Sequence, residues 1–204
     1  MASTRWDELV DTLPPPVVEE PPASDPLHHY EQYLHSVRAL IDALESKPPG
    51  ETVLAMLEQG VEHLMAVTDA ADATLFVLDE HSRELSFVVV RGTVPADKLK
   101  WRKLARGYGI AGWVAENATH VVANDIEYDS RFCSWFDDEL AYKTKTVLAV
   151  PILHDDRVLG VMELLNKAGR GLFTNVDLSL TTVYANVIGQ VLNDLTSRGE
   201  KTTG

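Results

Sequence analysis

The segment from residue 144 to residue 177 restricts the possible folds more than any other part of this chain. It holds two apolar runs, at 144–153 and 158–167, on either side of a polar turn at 154–157. Two short apolar runs around a polar turn predict a β-hairpin. Because strands joined by a tight turn run antiparallel, the hairpin favours a sheet that is antiparallel at least here.

A helix start follows the second strand of this hairpin. Thr174 suits the N-cap of a helix, and Asp177 suits the third position, where a carboxylate can accept backbone hydrogen bonds. Lys167 lies at the end of the preceding strand. A basic residue at a strand end and an acid at a helix start can pair, so we expect Lys167 and Asp177 to hold the two elements together.

Helical and strand patterns alternate along the chain from residue 51. The predicted elements are a helix at 51–67, strands at 73–78 and 84–91, a polar loop at 92–106, a short helix at 110–117, a short strand at 120–123, a loop with one or two helical turns at 125–142, the hairpin, and a last helix at 175–197 that Gly199 can terminate. This order predicts an α+β fold around a central antiparallel sheet of about six strands.

The two faces of the predicted sheet should be covered differently. We expect the terminal helices to pack on one face and the irregular segment 92–142, with its loops and short helices, to cover the other. Loops held by a rigid sheet are a common location for binding sites. The second face is therefore where we expect a ligand pocket.

Composition divides the chain into four segments. Residues 1–24 form an acidic, proline-rich leader that should be flexible. An amphipathic helix follows at 25–47, the globular domain occupies 48–198, and residues 199–204 should be a disordered tail.

Two apolar stripes and one short peptide suggest contacts with other proteins. The stripe at 27–44 has heptad spacing, which suits the seam of a homodimer together with the stripe at 180–195. The alternative is a helix packed on its own domain. Residues 4–13 place Trp6 and Leu9 on one side and suit a peptide that docks a separate output protein. The alternative there is a disordered leader.

The charge of the chain excludes several classes of partner. The net charge is −13, whereas a nucleic-acid binder needs a basic face and an anionic membrane attracts basic segments. No apolar run has the length of a membrane span, and the N-terminus lacks the apolar core of a signal peptide. With one cysteine, no internal disulfide can form. We expect a cytoplasmic protein that binds neither nucleic acid nor membrane.

No constellation of catalytic residues stands out in the sequence. Gly107–Gly112 matches G-x-G-x-x-G, but a dinucleotide site requires a buried strand before the glycines, and the preceding segment 98–106 is basic. The glycines suit a tight turn into a helix beginning near Ile110, whose free N–H groups favour an anion. The seven histidines, the acidic residues at 125–139 and Cys133 lack the spacing of metal or nucleophile motifs. We therefore expect no metal and no enzymatic activity.

Several short motifs, taken in order, resemble one family of sensory domains. They are Gly109-Ile-Ala-Gly112, Val150-Pro-Ile152, Asn166-Lys167, Phe173 and Asp177. Their order and spacing resemble those of GAF domains, and above all the GAF domains of cyclic-nucleotide phosphodiesterases and cyclases. The resemblance implies the GAF fold and a small-ligand sensor, with a cyclic nucleotide as the candidate ligand.

The resemblance also implies two sets of residues. The implied ligand-binding set is Thr74, Arg91, Ile110, Ala111, Asp137, Thr144 and Glu163. The implied structural set, called the clasp below, is Asn166, Lys167, Phe173 and Asp177. The chain departs from the family pattern at Leu178, where the signature has Glu, at Leu140-Ala141, where it has Thr-Gly, and at Arg91.

Two functions follow as expectations. The first is a non-catalytic regulatory protein that binds a small ligand and relays it to a separate partner. The second is a dimeric interaction adaptor whose pocket is vestigial and holds no ligand.

Overall fold

The computed structural model describes residues 53–79, 81–99, 102–169 and 171–200. The predicted leader at 1–24, the heptad helix at 25–47 and most of the predicted tail lie outside these residues, and so does the proposed docking peptide at 4–13. The predicted elements of the globular domain fall within them.

Helices and strands alternate in the order expected of an α+β domain. The helices are α1 Val53–Thr68, α2 Ala96–Leu99, α3 Gly109–Asn117, α4 Trp135–Leu140 and α5 Asn175–Glu200, with a 3-10 turn at Ile126–Tyr128. The strands are β1 Ala70–Leu78, β2 Glu84–Arg91, β3 Lys103–Ala105, β4 Val121–Ala123, β5 Val147–His154 and β6 Arg157–Lys167.

The six strands form a single antiparallel sheet in the order β3-β2-β1-β6-β5-β4. The predicted α+β architecture and the number of strands are therefore correct. One strand was not predicted, because β3 lies inside the segment that the sequence marks as a polar loop. Its three residues carry one buried side chain, Leu104, between two exposed neighbours. Such a short alternation has no detectable period.

Each face of the sheet carries its own core. On one face, α1 and α5 pack through residues such as Leu64 and Tyr184, both fully buried, against β1, β5 and β6. On the other face, α3 contributes Val114 and the 3-10 turn contributes Ile126. This division agrees with the prediction that the terminal helices and the 92–142 segment lie on opposite faces.

The last helix is longer than the sequence pattern suggests. It continues through Gly199 to Glu200, so the prediction that Gly199 ends it is wrong. A glycine inside a helix costs only about 1 kcal/mol, which the rest of the helix tolerates. None of the helices that the structure describes is long and apolar enough to cross a membrane.

Candidate functional site: a cavity on the open face of the sheet

A cavity lies between the sheet and the short helices α2, α3 and α4. Its volume is about 120 Å³. One water molecule needs about 10–15 Å³ of such space, so the cavity has room for a small organic molecule. Most of its lining is apolar, with a few polar groups among aromatic rings.

All seven residues of the implied ligand-binding set line this one cavity. They are Thr74 on β1, Arg91 on β2, Ile110 and Ala111 on α3, Asp137 on α4, Thr144 before β5, and Glu163 on β6. The first and the last lie 89 positions apart in sequence, and the antiparallel pairing of the strands brings them together. The tertiary structure therefore gathers the whole set around one cavity.

Glu163 lies on the floor of the cavity. In the sheet it pairs with Thr74 on one side and with Ala149 on the other, so its long side chain stands between two small neighbours. Its carboxyl has no hydrogen-bond partner among the residues that the structure describes. Burial raises the pKa of Glu163 to about 7, because the apolar surroundings disfavour the charged form.

Asp137 and Thr144 bind each other at the cavity wall. The carboxylate of Asp137 accepts a hydrogen bond from the Thr144 backbone N–H at 2.7 Å and another from its hydroxyl at 2.7 Å. Asp137 lies on α4, and Thr144 is buried just before β5. The pair thus fixes the helix that forms one wall of the cavity to the sheet.

Arg91 directs its charge away from the cavity. Its guanidinium is bonded to Glu62 at 2.7 Å and to Glu58 at 2.9 Å, and both carboxylates belong to α1. The bond to Glu62, followed by the attraction of Glu58, raises the pKa of Arg91. A cation held by two carboxylates attracts an anionic ligand much less than a free one does.

The glycine-rich segment forms a tight turn into α3. Gly109 has a φ of 65°, and a side-chain carbon added to Gly112 would lie 2.6 Å from the carbonyl oxygen of Ala105. Gly107 closes the turn by donating its N–H to the Gly112 carbonyl at 2.8 Å. The G-x-G-x-x-G pattern therefore forms the tight turn that the sequence predicts. It follows the antiparallel strand β3 and does not belong to a parallel dinucleotide-binding unit.

A hydrogen-bond network at the cavity edge was not predicted from the sequence. The Tyr142 hydroxyl donates to the buried carboxylate of Asp72 and accepts from Asn166 Nδ2 at 2.8 Å. Asp72 also accepts the backbone N–H of Thr93. Burial, and then the bond to Asp72, raises the pKa of the Tyr142 hydroxyl. No local pattern marks these residues, because Asp72 and Tyr142 lie 70 positions apart.

Replacing Tyr142 by phenylalanine should destabilise the domain by about 1–3 kcal/mol. The substitution leaves one oxygen of buried Asp72 without its donor and one N–H of Asn166 without its acceptor. Urea denaturation followed by tryptophan fluorescence measures the change. Tyr128→Phe is the matched control, since that ring is 85% exposed and should change stability by less than about 0.5 kcal/mol. Equal stability of the two variants would contradict the network.

An aromatic wall borders the cavity, and an ion pair holds the helix that carries part of this wall. Phe87 contacts Phe76 at 4.6 Å between ring centroids and Phe136 at 5.7 Å, the latter edge to face. Outside this wall, Arg102 forms a two-bonded ion pair with Glu139 at 2.5 Å and lies over the Trp135 ring. Phe136 and Glu139 both belong to α4, so these contacts hold α4 over the cavity.

Within the clasp, Lys167 joins β6 to α5. Its Nζ lies 2.8 Å from both carboxylate oxygens of Asp177 and 3.1 Å from the carbonyl oxygen of Thr68. Asp177 is buried, and its carboxylate also accepts the backbone N–H of Thr174 at 2.7 Å. The same carboxylate thus serves as counter-ion and as helix cap.

The other two clasp residues have different contacts. Asn166, at a φ of 54°, accepts the N–H of Lys145 at 2.7 Å and donates to the carbonyl of Lys143, so it holds the segment before β5. Phe173 is buried, and its backbone exchanges two hydrogen bonds with the Asn124 side chain, at 2.8 and 2.9 Å.

The described ranges contain no group of three or more His, Cys, Asp or Glu residues placed to hold a metal ion. Cys133 lines the cavity, and its sulfur lies 2.7 Å from the Tyr108 hydroxyl. That contact raises the pKa of Tyr108.

The six-stranded sheet, the helices on both of its faces and the cavity under α3 and α4 together define a GAF domain. The sequence matches the GAF domain family over residues 48–193, which is well over half of the chain, and the chain belongs to that family.

Three relatives show how far the similarity reaches. The probable 3',5'-cyclic phosphodiesterase pde-5 of Caenorhabditis elegans is 30% identical over 135 residues, 62% of this chain and 18% of the relative. The dual 3',5'-cyclic-AMP and -GMP phosphodiesterase 11A of Takifugu rubripes is 36% identical over 90 residues, 43% of this chain and 10% of the relative. The GAF domain of a phosphoenolpyruvate-protein phosphotransferase from Coxiella burnetii superposes with a TM-score of 0.74 at 17% identity, covering 83% of this chain and 98% of that domain.

At 17% identity, the bacterial structure shows the fold alone. The chain spans less than a fifth of the length of the two phosphodiesterases. It is a GAF domain related to the sensory and regulatory domains of such proteins. The activity that their names describe belongs to those proteins.

Proposed function

We propose that this chain is a regulatory GAF module that binds a small ligand in the cavity and relays its presence to a separate partner. In this role the module has no catalytic activity of its own. The observation that carries it is the convergence of seven separately placed residues on one cavity whose floor holds the unpartnered carboxyl of Glu163. Binding sites are typically apolar cavities with a few well-placed polar groups, and this cavity has that character.

Cyclic nucleotides are the first ligands to test. The first turn of α3 lines the cavity, and no side chain caps it, since the Tyr108 side chain makes no cap hydrogen bond. Uncapped N–H groups at a helix start suit a phosphate. The Phe87 and Phe136 rings offer an apolar surface against which a base could stack. Both phosphodiesterase relatives are named for cyclic substrates, which supports the same class.

A thermal-shift measurement on the full chain tests this proposal. Cyclic AMP and cyclic GMP are each added up to 5 mM. A ligand present at 100 times its dissociation constant stabilises the folded state by about 2.7 kcal/mol. For a domain of this size, that corresponds to a rise in melting temperature of at least about 5 °C.

A matched pair of variants shows whether the ligand sits in the cavity. Val94→Trp places a large ring at the cavity wall and should weaken binding at least about tenfold, since the ring occupies the space of the ligand. Val176→Trp places the same ring on an exposed position of α5 and should leave binding unchanged. Absence of any thermal shift would remove cyclic nucleotides as ligands.

The relay to a partner forms the second half of the proposal. We assign dimerisation to the apolar stripes at 27–44 and 180–195, and docking of the output protein to residues 4–13. The heptad spacing and the one-sided apolar character of these segments support both assignments. The free thiol of Cys133 supports a cytoplasmic location, since disulfides prevail in oxidising compartments.

An adaptor with a vestigial pocket is the second candidate. The observation that favours it is that three polar groups of the wall are already occupied: Arg91 by two glutamates, Asp137 by Thr144, and Asp72 by Tyr142. Light scattering on the full chain and on Ile41→Glu tests the dimer that both candidates include. The thermal-shift measurement distinguishes them, because the adaptor responds to no ligand.

A further inference from the structure

The charged groups that line the cavity are unequal in number and in availability. Three are carboxyl groups, on Asp72, Asp137 and Glu163, and one is a guanidinium, on Arg91. A charge without a partner is costly in an apolar site. Each of these groups therefore needs a hydrogen-bond or ion-pair partner, either from the protein or from a ligand.

The cation and two of the carboxyls have partners. Arg91 is held by two glutamates of α1, outside the cavity. Asp137 and Asp72 receive their hydrogen bonds from neutral donors, the first from Thr144 and the second from Tyr142 and the backbone of Thr93. Neutral donors satisfy the oxygens without cancelling the charge. Among the described lining residues, acidic groups therefore outnumber basic ones, and no cation is left without a carboxylate partner.

Glu163 is the exception among these groups. The described chain supplies no donor to its carboxyl, although the group sits at the centre of the sheet between Thr74 and Ala149. A lining residue of this kind has unused acceptor oxygens that point to a ligand rather than to the fold. The apolar rings of Phe76 on β1 and Phe87 on β2 line the same cavity, with their centroids 4.6 Å apart.

We propose that Glu163 is the counter-ion for a cationic nitrogen group of the ligand, an ammonium or an amidinium, while the aromatic wall holds the ligand's apolar body. An ionised carboxylate and an N–H cation form a charge-assisted hydrogen bond, which is about twice as strong as a neutral one. The same site repels a carboxylate. This inference rests on the proposed function in that the cavity binds a small ligand. A cyclic nucleotide carries no such cation, so a cationic ligand is an alternative to it.

The pH dependence of binding follows from the ionisation of Glu163. Its pKa, raised by burial to about 7, means that the empty site is largely protonated at pH 6 and largely ionised at pH 8. A cation binds the ionised form, so its affinity should be about tenfold lower at pH 6 than at pH 8. The other titratable or charged groups around the cavity are Asp72, Arg91, Tyr108, Cys133, Asp137 and Tyr142.

Three probes of nearly equal shape test this inference on the full chain. They are benzamidine, benzamide and benzoate, whose charges are positive, zero and negative throughout pH 6–8. Their dissociation constants are measured by ligand-observed and protein-observed NMR at pH 6 and pH 8. We expect benzamidine to bind about tenfold more tightly than benzamide at pH 8 and benzoate to bind most weakly, because a charge-assisted bond exceeds a neutral one by about 1.4 kcal/mol.

Two variants show whether the effect depends on Glu163 or on the net negative charge of the chain. Glu163→Gln keeps the shape of the side chain, and it should reduce benzamidine affinity about tenfold at pH 8 and remove the difference between pH 6 and pH 8. Glu127→Gln removes the same charge from an exposed pair with Lys143, outside the cavity. It should change neither the benzamidine affinity nor its dependence on pH. Thermal melts of both variants check that they are folded.

The outcomes distinguish this inference from the proposed function. Benzoate binding as tightly as benzamidine, or benzamidine binding unaffected by Glu163→Gln, would overturn the assignment of Glu163. Binding of none of the three probes at millimolar concentration would also overturn it, yet the proposed function would stand if a cyclic nucleotide still shifted the melting temperature. A cavity that accepts neither the probes nor a nucleotide would contradict both.

Discussion

Lys167→Met is expected to lower the free energy of unfolding by about 3–5 kcal/mol. The substitution keeps most of the side-chain volume and removes only the cation. It leaves the carboxylate of Asp177, a residue that is 4% exposed, without its counter-ion, and it removes the donor to the Thr68 carbonyl. A buried charge that loses its partner costs far more than the loss of a surface ion pair.

Chemical denaturation of four variants checks this expectation. Lys143→Met is the control, because it breaks an exposed pair with Glu127 of similar length, 3.0 Å, and should cost at most about 1 kcal/mol. Combining Lys167→Met with Asp177→Asn should cost less than the sum of the two single changes, since the double variant carries no unpaired charge. Additive costs, or a cost for Lys167→Met no greater than that of the control, would show that the pair does not hold β6 to α5.

Gly160→Ala should destabilise the domain by about 3 kcal/mol. Gly160 lies in the middle of β6, and an added side-chain carbon would sit 2.1 Å from the carbonyl oxygen of Phe76 in β1. That oxygen belongs to the backbone of the neighbouring strand and cannot move without disturbing the β1–β6 ladder. Without this contact, alanine would stabilise the chain by about 0.4–1 kcal/mol, because glycine is the more flexible residue when unfolded. The sign of the effect is therefore decisive.

A matched change on the neighbouring strand controls for added bulk. Ala71→Val enlarges an exposed side chain of β1 and should change stability by less than about 0.5 kcal/mol. Denaturation midpoints and slopes are measured for both variants. A Gly160→Ala protein as stable as the natural one would contradict the close approach of the two strands.

Much of the fold was accessible from the sequence because it depends on local periodicity. The apolar runs around residues 154–157 specified β5, β6 and their antiparallel pairing, and Thr174 with Asp177 marked the start of α5. The family resemblance then supplied the seven cavity residues. By contrast, β3 and Gly199 show where local signals fail: three residues carry no period, and the last helix continues through Gly199 to Glu200.

The sequence by itself thus determined the class of fold, the hairpin, and which residue types border the cavity. Only the tertiary structure decided the chemistry of that cavity. Arg91 and Glu163 are both charged residues on strands. Nothing local shows that two glutamates of α1 bind the first, while the second has no partner among the residues that the structure describes. Hydrogen bonds within strands and helices follow from short-range spacing, whereas the partner of a side chain depends on which distant segments the fold brings within 3 Å of it.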